Sequence, residues 1–150
     1  MSPKQLDQKK SLMVFAGQGN GDLSSEISEC LGVPLGSVVL SSFANGELYC
    51  RFGESVRGAD VFLLQSHCPP INDHIFQQLI MADAAKRASA KRITAVCPFY
   101  AYARQDRKAE GREPITARLL ADLLTAAGCS RPPCVASSPR TGRASTTSPT

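Results

Sequence analysis

Four cationic side chains, Arg104, Arg107, Lys108 and Arg112, stand within one short stretch, Pro98-Phe-Tyr-Ala-Tyr-Ala-Arg-Gln-Asp-Arg-Lys-Ala-Glu-Gly-Arg112. Guanidinium forks match phosphate oxygens in pairs and an ammonium adds a compact point charge, so the chemistry on offer is anion binding. The stretch leaves an apolar, strand-like run, Arg92 to Cys97, and enters a helix at Thr116. A strand, a basic loop and a helix start are where an α/β protein holds an anionic ligand. A solvated basic loop is the competing reading of the same composition.

A second stretch, Gly17-Gln-Gly-Asn-Gly21, follows the apolar run Leu12 to Ala16 and invites a dinucleotide reading. The fingerprint needs a glycine at position 22, where the chain has Asp22, so a plain strand-to-helix turn is expected instead. The six cysteines, at 30, 50, 68, 97, 129 and 134, form no C-x-x-C pair, and His67 and His74 are not at zinc spacing to them. No metal site is expected from them; reduced thiols are.

These groups need a scaffold. Leu12 to Ala16 reads as a strand buried on both faces. A helix capped by Asp22 or Ser24 runs to Leu31, where Gly32 and Pro34 stop it. Val38-Val-Leu40 and Leu48 to Phe52 flank Asn45-Gly46, a tight-turn signal, and so form a hairpin. A turn at Glu54 to Gly58 leads to a strand at Val61 to Leu64. After Pro69-Pro70, a helix from Asn72 or Asp73 to Ser89 turns Ile75, Leu79, Ala82 and Lys86 to one side, with Phe76, Ile80 and Ala84 widening the stripe. Ile93 to Cys97 is the next strand. The last helix follows Pro114, is capped by Thr116, presents Leu119, Leu120, Leu123 and Leu124, and closes at Gly128. Strand and helix alternate, so the class is α/β: a parallel-rich sheet flanked by helices on both faces, with a β-hairpin insertion.

The 150 residues suffice for one domain, 43% hydrophobic and 20% charged. No apolar run reaches the length of a membrane span, and the first ten residues lack a signal-peptide core, so a cytoplasmic protein is expected. Of the net charge of +4, three arginines and no acid fall after Ser130, which leaves the body close to neutral. Such a body is no general nucleic-acid binder. From Ser130 onward Ser, Thr and Pro dominate and Val135 is the lone aliphatic residue larger than Ala. The domain plan is therefore a flexible 1–10, a folded 11–129 and a disordered tail at 130–150.

Three segments together resemble ribose-phosphate pyrophosphokinase, also called phosphoribosyl pyrophosphate synthetase. They are Phe43-Ala-Asn-Gly-Glu47, Glu54-Ser-Val-Arg-Gly58, and Tyr102-Ala-Arg-Gln-Asp-Arg-Lys108 with Arg112-Glu-Pro-Ile115. Leu79-Ile-Met81 and Ala90-Lys-Arg-Ile93 add to the likeness, which covers Leu12 to Cys129. The resemblance implies a phosphoribosyltransferase-like N-terminal domain and a role in nucleotide biosynthesis. The family moves the β,γ-diphosphoryl group of ATP to the C1 hydroxyl of ribose 5-phosphate and requires Mg²⁺. It implies that Phe43 stacks on adenine and that Asn45, Gly46 and Glu47 meet the purine edge. It also implies that Arg104 and Gln105 hold the phosphate side. Ser55, Arg57, Lys108 and Arg112 match positions of an allosteric phosphate or nucleotide site. ATP sites shared between subunits imply at least a dimer, as a homo-oligomer or mixed with complete synthetase subunits.

The chain departs from the family pattern after Ala127-Gly-Cys129. There the family continues with a strand and an Asp-Leu-His motif whose His binds Mg²⁺-ATP, and with a second domain that carries the ribose-phosphate loop. Neither is found here, and His67 and His74 lie elsewhere in the pattern. The expectation is a first domain cut short, with an incomplete sheet, part of an ATP site, no catalytic or metal residue of its own and no activity alone. The alternative is a non-catalytic subunit that joins complete synthetase subunits and alters them.

Overall fold

The computed structural model describes residues 12–130 and 134–135, and the expected flexible segment 1–10 lies outside them. Strand β1 is Leu12–Ala16, followed by helix α1 at Gly21–Leu31, strands β2 at Val38–Ser42 and β3 at Leu48–Phe52, and β4 at Asp60–Leu64. Helix α2 is Ile71–Arg87, β5 is Arg92–Cys97, α3 is Thr116–Ala127 and β6 is Cys134–Val135. The main sheet has the order β1-β4-β5-β6 and is parallel throughout; β2 and β3 form a separate antiparallel pair. The expected class, a parallel sheet flanked by helices with an inserted hairpin, is the one found. No described helix is long and apolar enough to cross a membrane.

Register places Met13 beside Val61 and Phe15 beside Leu63, then Val61 beside Ile93 and Leu63 beside Ala95. Side chains alternate along a strand, so these residues share one face. Onto it pack Ile75, Met81, Ala82 and Ala85 of α2 and Leu120 and Leu124 of α3. The hairpin covers the same face: Val38, Leu40, Cys50 and Phe52 join the core, and the Phe52 ring meets Phe15 edge-on at 4.6 Å. Leu35 bridges to Val14 on the outer edge of β1. The chain thus steps outward from β1 through α1, then back across the sheet to β4. The right-handed rule for such crossovers sets α1 over the opposite face, where Val14 and Leu64 are buried.

Local signals differ from the sequence reading at several points. Asn20, not Asp22 or Ser24, caps α1: it takes the left-handed conformation (φ 65) and its Oδ1 accepts from the Leu23 amide at 3.2 Å. Asn tolerates that conformation because its short amide bonds locally. Ser24 is buried and donates its hydroxyl to the Asn20 carbonyl. In α2, Phe76 points outward, while Gln77 and Gln78 are buried. In α3, Leu120 and Leu124 face the core and Leu119 and Leu123 stay exposed, so its apolar stripe is wider than the surface it covers. Gly128 ends α3 at φ 124, as a glycine is suited to do.

Two residues of the segment expected to be without regular structure do have it. Cys134 and Val135 pair in parallel with Val96 and Cys97. That pairing satisfies backbone groups along the outer edge of β5, which a sheet ending there would leave to solvent. The rest of that segment, 131–133 and 136–150, lies outside the described residues.

Candidate functional site

The hairpin tip is closed by short local hydrogen bonds. The Phe43 amide donates to the Glu47 carbonyl at 2.8 Å and the Gly46 amide to the Phe43 carbonyl at 2.9 Å. Gly46 sits at φ 89, a backbone state that favours glycine. Asn45 Oδ1 accepts from the Glu47 amide at 3.1 Å, so the side chain locks its own turn. Phe43 is 57% exposed and meets the Tyr49 ring edge-on at 6.2 Å. An open aromatic face beside an amide and a carboxylate suits a flat heterocycle with hydrogen-bonding edges.

The basic loop leaves the C-terminal end of β5 and is tied down before its cations begin. The His67 amide donates to the Phe99 carbonyl at 3.0 Å and the Ala101 amide donates to His67 Nδ1 at 3.3 Å. Tyr100 donates its hydroxyl to the Ala117 carbonyl at 2.9 Å, and burial pushes that hydroxyl up to about 12. Tyr102 donates its hydroxyl to Asn72 Oδ1 at 2.7 Å. Its φ of 60, with φ 70 at Arg112, brackets the loop with two non-glycine residues in the left-handed region. Each such residue costs about 1–3 kcal/mol, sustained by the contacts around it. The Gln105 amide closes a turn on the Tyr102 carbonyl at 2.8 Å, which sets Arg104 at the turn's outer corner.

Gln105 does what Thr116 was expected to do. Its carbonyl accepts from the Ala117 amide at 3.2 Å, in the first turn of α3, where Ile115 offers no side-chain cap. The Thr116 hydroxyl in turn donates to Gln105 Oε1. Further along, Glu113 Oε2 accepts from the Ala109 and Glu110 amides at 2.9 and 3.0 Å. Those two bonds, Glu110's first, hold its carboxyl below the usual range. Arg104, Arg107, Lys108 and Arg112 remain exposed, with no ion pair to any described residue.

Ser55 and Arg57 lie elsewhere. They precede β4, where the Gly58 amide bonds the Ser89 carbonyl at the start of the path into β5. That is the N-terminal edge of the parallel sheet, whereas Lys108 and Arg112 belong to the loop off its C-terminal edge. One chain does not bring these four together. Nor do hydrogen bonds join the hairpin tip to the basic loop: those of the tip stay in the hairpin, and those of the loop run to His67, α2 and α3.

The glycine stretch after β1 is a packing device. Gln65 Oε1 accepts from the Gly19 amide at 3.2 Å, and Gln77 Oε1 from the Gln18 amide at 2.9 Å, while Gln77 Nε2 donates back to Gln18 Oε1 at 2.8 Å. A Cβ on Gly17 would fall 1.8 Å from Gln65 Oε1. Amides that a phosphate loop would aim at its ligand are already spent on glutamines. The buried polar set Gln65, His67, Gln77 and Gln78 escaped the sequence reading; its signal was a Gln pair inside an amphipathic helix and polar residues ending an apolar strand. Among the described residues every buried side-chain nitrogen and oxygen has a partner. Among the described residues no group of three or more His, Cys, Asp or Glu could hold a metal ion, and the side chains gathered at the tip and the loop are cations, an aromatic face, an amide and a carboxylate.

Residues 12–128 match the family described as the N-terminal domain of ribose phosphate pyrophosphokinase. The chain is 53% identical over 126 residues to a ribose-phosphate pyrophosphokinase of Clostridium tetani, covering 84% of this chain and 39% of that protein. It is 55% identical over 131 residues to one of Mycobacterium tuberculosis, covering 87% and 40%. Among solved structures, phosphoribosylpyrophosphate synthetase from Mycobacterium smegmatis superposes with a TM-score of 0.78 at 55% identity, over 79% of this chain and 40% of that one. The chain thus spans about 40% of the length of these relatives.

Proposed function

Because this chain belongs to the family of the ribose phosphate pyrophosphokinase N-terminal domain, we propose that it supplies part of the ATP site of that enzyme activity. The reaction moves the diphosphoryl group of ATP to the C1 hydroxyl of ribose 5-phosphate and leaves AMP. In this reading Phe43 stacks on adenine, Asn45, Gly46 and Glu47 meet its edge, and Arg104 and Gln105 hold the phosphate end. The observation that carries it is the placement of Arg104: exposed, without an ion pair among the described residues, at the corner of a turn braced from both sides. A guanidinium presented from such a turn can reach a transferring phosphoryl group and neutralise its charge.

Mg²⁺ enters this reading on the nucleotide, where it supplies charge neutralisation, and not on a site of this chain. The hairpin tip and the basic loop act on different copies, or on this chain and a complete synthetase subunit, which fits their separate anchoring. Ser55 and Arg57 likewise join Lys108 and Arg112 of another copy to bind a regulatory phosphate or nucleotide. A cytoplasmic location goes with the reading. We expect no turnover by this chain alone, since in-line transfer needs nucleotide, metal and sugar held together.

Titration calorimetry with Mg²⁺-ATP tests the proposal. The expected result is a millimolar dissociation constant, equivalent to about 4 kcal/mol, lost in Arg104→Ala. Micromolar binding unchanged in Arg104→Ala would overturn it. AMP release from ATP and ribose 5-phosphate at about 1 s⁻¹ or faster, the low end of ordinary enzyme turnover, would overturn the expectation of inactivity.

A further inference from the structure

His67 is fully buried at the C-terminal end of β4, yet it touches the basic loop with both its backbone and its ring. Its tautomer is set by groups that cannot change roles. The Ala101 amide can only donate, so Nδ1, at 3.3 Å, must be bare and accepting. On the other side, Gln78 Nε2 donates to the Leu63 carbonyl at 3.1 Å, which turns Gln78 Oε1 toward the imidazole. That oxygen lies 2.8 Å from His67 Nε2, so Nε2 must carry the proton. The Cys97 thiol points to the same Gln78 oxygen at 3.4 Å, and the Tyr100 ring lies 5.7 Å from the imidazole.

We infer that neutral His67, protonated on Nε2, is the positioning residue of the basic loop, fixing Ala101 so that the turn from Tyr102 to Gln105 presents Arg104. The chain of contacts is short. Ala101 is held by Nδ1; Tyr102 follows at φ 60 with its hydroxyl on Asn72; Gln105 closes on Tyr102. A left-handed residue persists only where its neighbours over-determine it, and His67 fixes the residue just before it. Gln78 is the link that ties α2 to this device, with the carbonyl of Leu63 as its anchor. The inference rests on the reading of Arg104 as a phosphate ligand only in its functional arm.

Two substitutions divide the imidazole into its halves. His67→Asn places an amide oxygen where Nδ1 was and loses the bond to Gln78. His67→Gln places a donor where Nε2 was and loses the acceptor for Ala101. In the full chain, amide exchange at Ala101 to Gln105 is expected to quicken about tenfold or more in His67→Gln and to change less than about twofold in His67→Asn. Binding of Mg²⁺-ATP should weaken in the same order. Equal effects of the two variants, or the reverse order, would overturn the inference. Long-range ¹⁵N correlation on the wild-type imidazole gives an arm that needs no variant: the Nε2-protonated form is expected, and a proton on Nδ1 would overturn it. If the wild type binds no nucleotide, the ATP reading fails, while exchange and tautomer still decide the role of His67.

Discussion

The Gly19 amide donates to Gln65 Oε1 at 3.2 Å, tying the loop after β1 to the residue that follows β4. Those two positions flank the point where the chain reverses its direction across the sheet, which in open α/β folds is a common ligand crevice. Here protein side chains fill it. Gln65, with Gln77, takes the amides that would otherwise meet an anion.

Gly19→Ala should therefore destabilise the fold. A Cβ there falls 2.2 Å from the Ser66 carbonyl oxygen, a backbone atom with little room to retreat. Overpacking of this kind costs about 1–3 kcal/mol. Gly21→Ala, where nothing lies within 4 Å, should cost nothing measurable and serves as the control. Urea denaturation followed by circular dichroism separates the two; equal midpoints would contradict the packing role.

Stability should fall on mild acidification. Burial holds His67 below its ordinary value of 6.5, with the charge of His74 adding to this and the Gln78 bond working against it. Cys97 and Tyr100 are the other titratable groups that face the ring. The unfolded chain then takes up the proton before the folded one does. The stabilisation is complete above about pH 6.5, the unfolded value, and is lost as pH falls through the lower folded value. Melting temperature against pH should show this slope in the wild type and a flatter one in His67→Asn. A slope unchanged in His67→Asn would count against it.

Arg112→Gly should uncouple stability from charge. Arg112 sits at φ 70 and is exposed, so glycine relieves the backbone while removing a cation. Melting temperature is expected to hold or rise, while inorganic phosphate protects the variant less than the wild type. A clear fall in melting temperature would show that the Arg112 side chain makes a contact that holds the loop.

A phosphate site built from Ser55, Arg57, Lys108 and Arg112 should depend on protein concentration, because the sheet separates the two pairs. Protection by phosphate should strengthen as the chain is concentrated and track its self-association in sedimentation. Protection that is the same in dilute monomer would leave the four residues without a joint role.

Much of this was legible in the sequence. The strands β1 and β3 and the turn at Asn45-Gly46 follow from runs of apolar residues and one turn signal, features that need no tertiary context. The basic loop and the hairpin tip stand out as candidates because cations and motif residues are visible wherever they end up. What stayed hidden was set by distant partners. Gln105 supplies the cap of α3 through its carbonyl, which no residue type announces. Gln77 and Gln78 go inward because Gln18, His67 and the Leu63 carbonyl wait for them, against the rule that amides face water. Phe76 goes outward for the complementary reason: its place on α2 turns away from the sheet.

The hairpin also bears on the order of events during synthesis. Strand β1 emerges first and its sheet partner β4 begins only at Asp60; before that, Gly36, bonded to the Val14 carbonyl, brings its backbone against the Phe15 ring. The hairpin, whose strands pair with each other across five residues, closes on the microsecond scale once Phe52 is out, about four orders of magnitude faster than the next residue is added. Through Phe52 against Phe15 it then widens the cover over that apolar surface before any residue of β4 has been made.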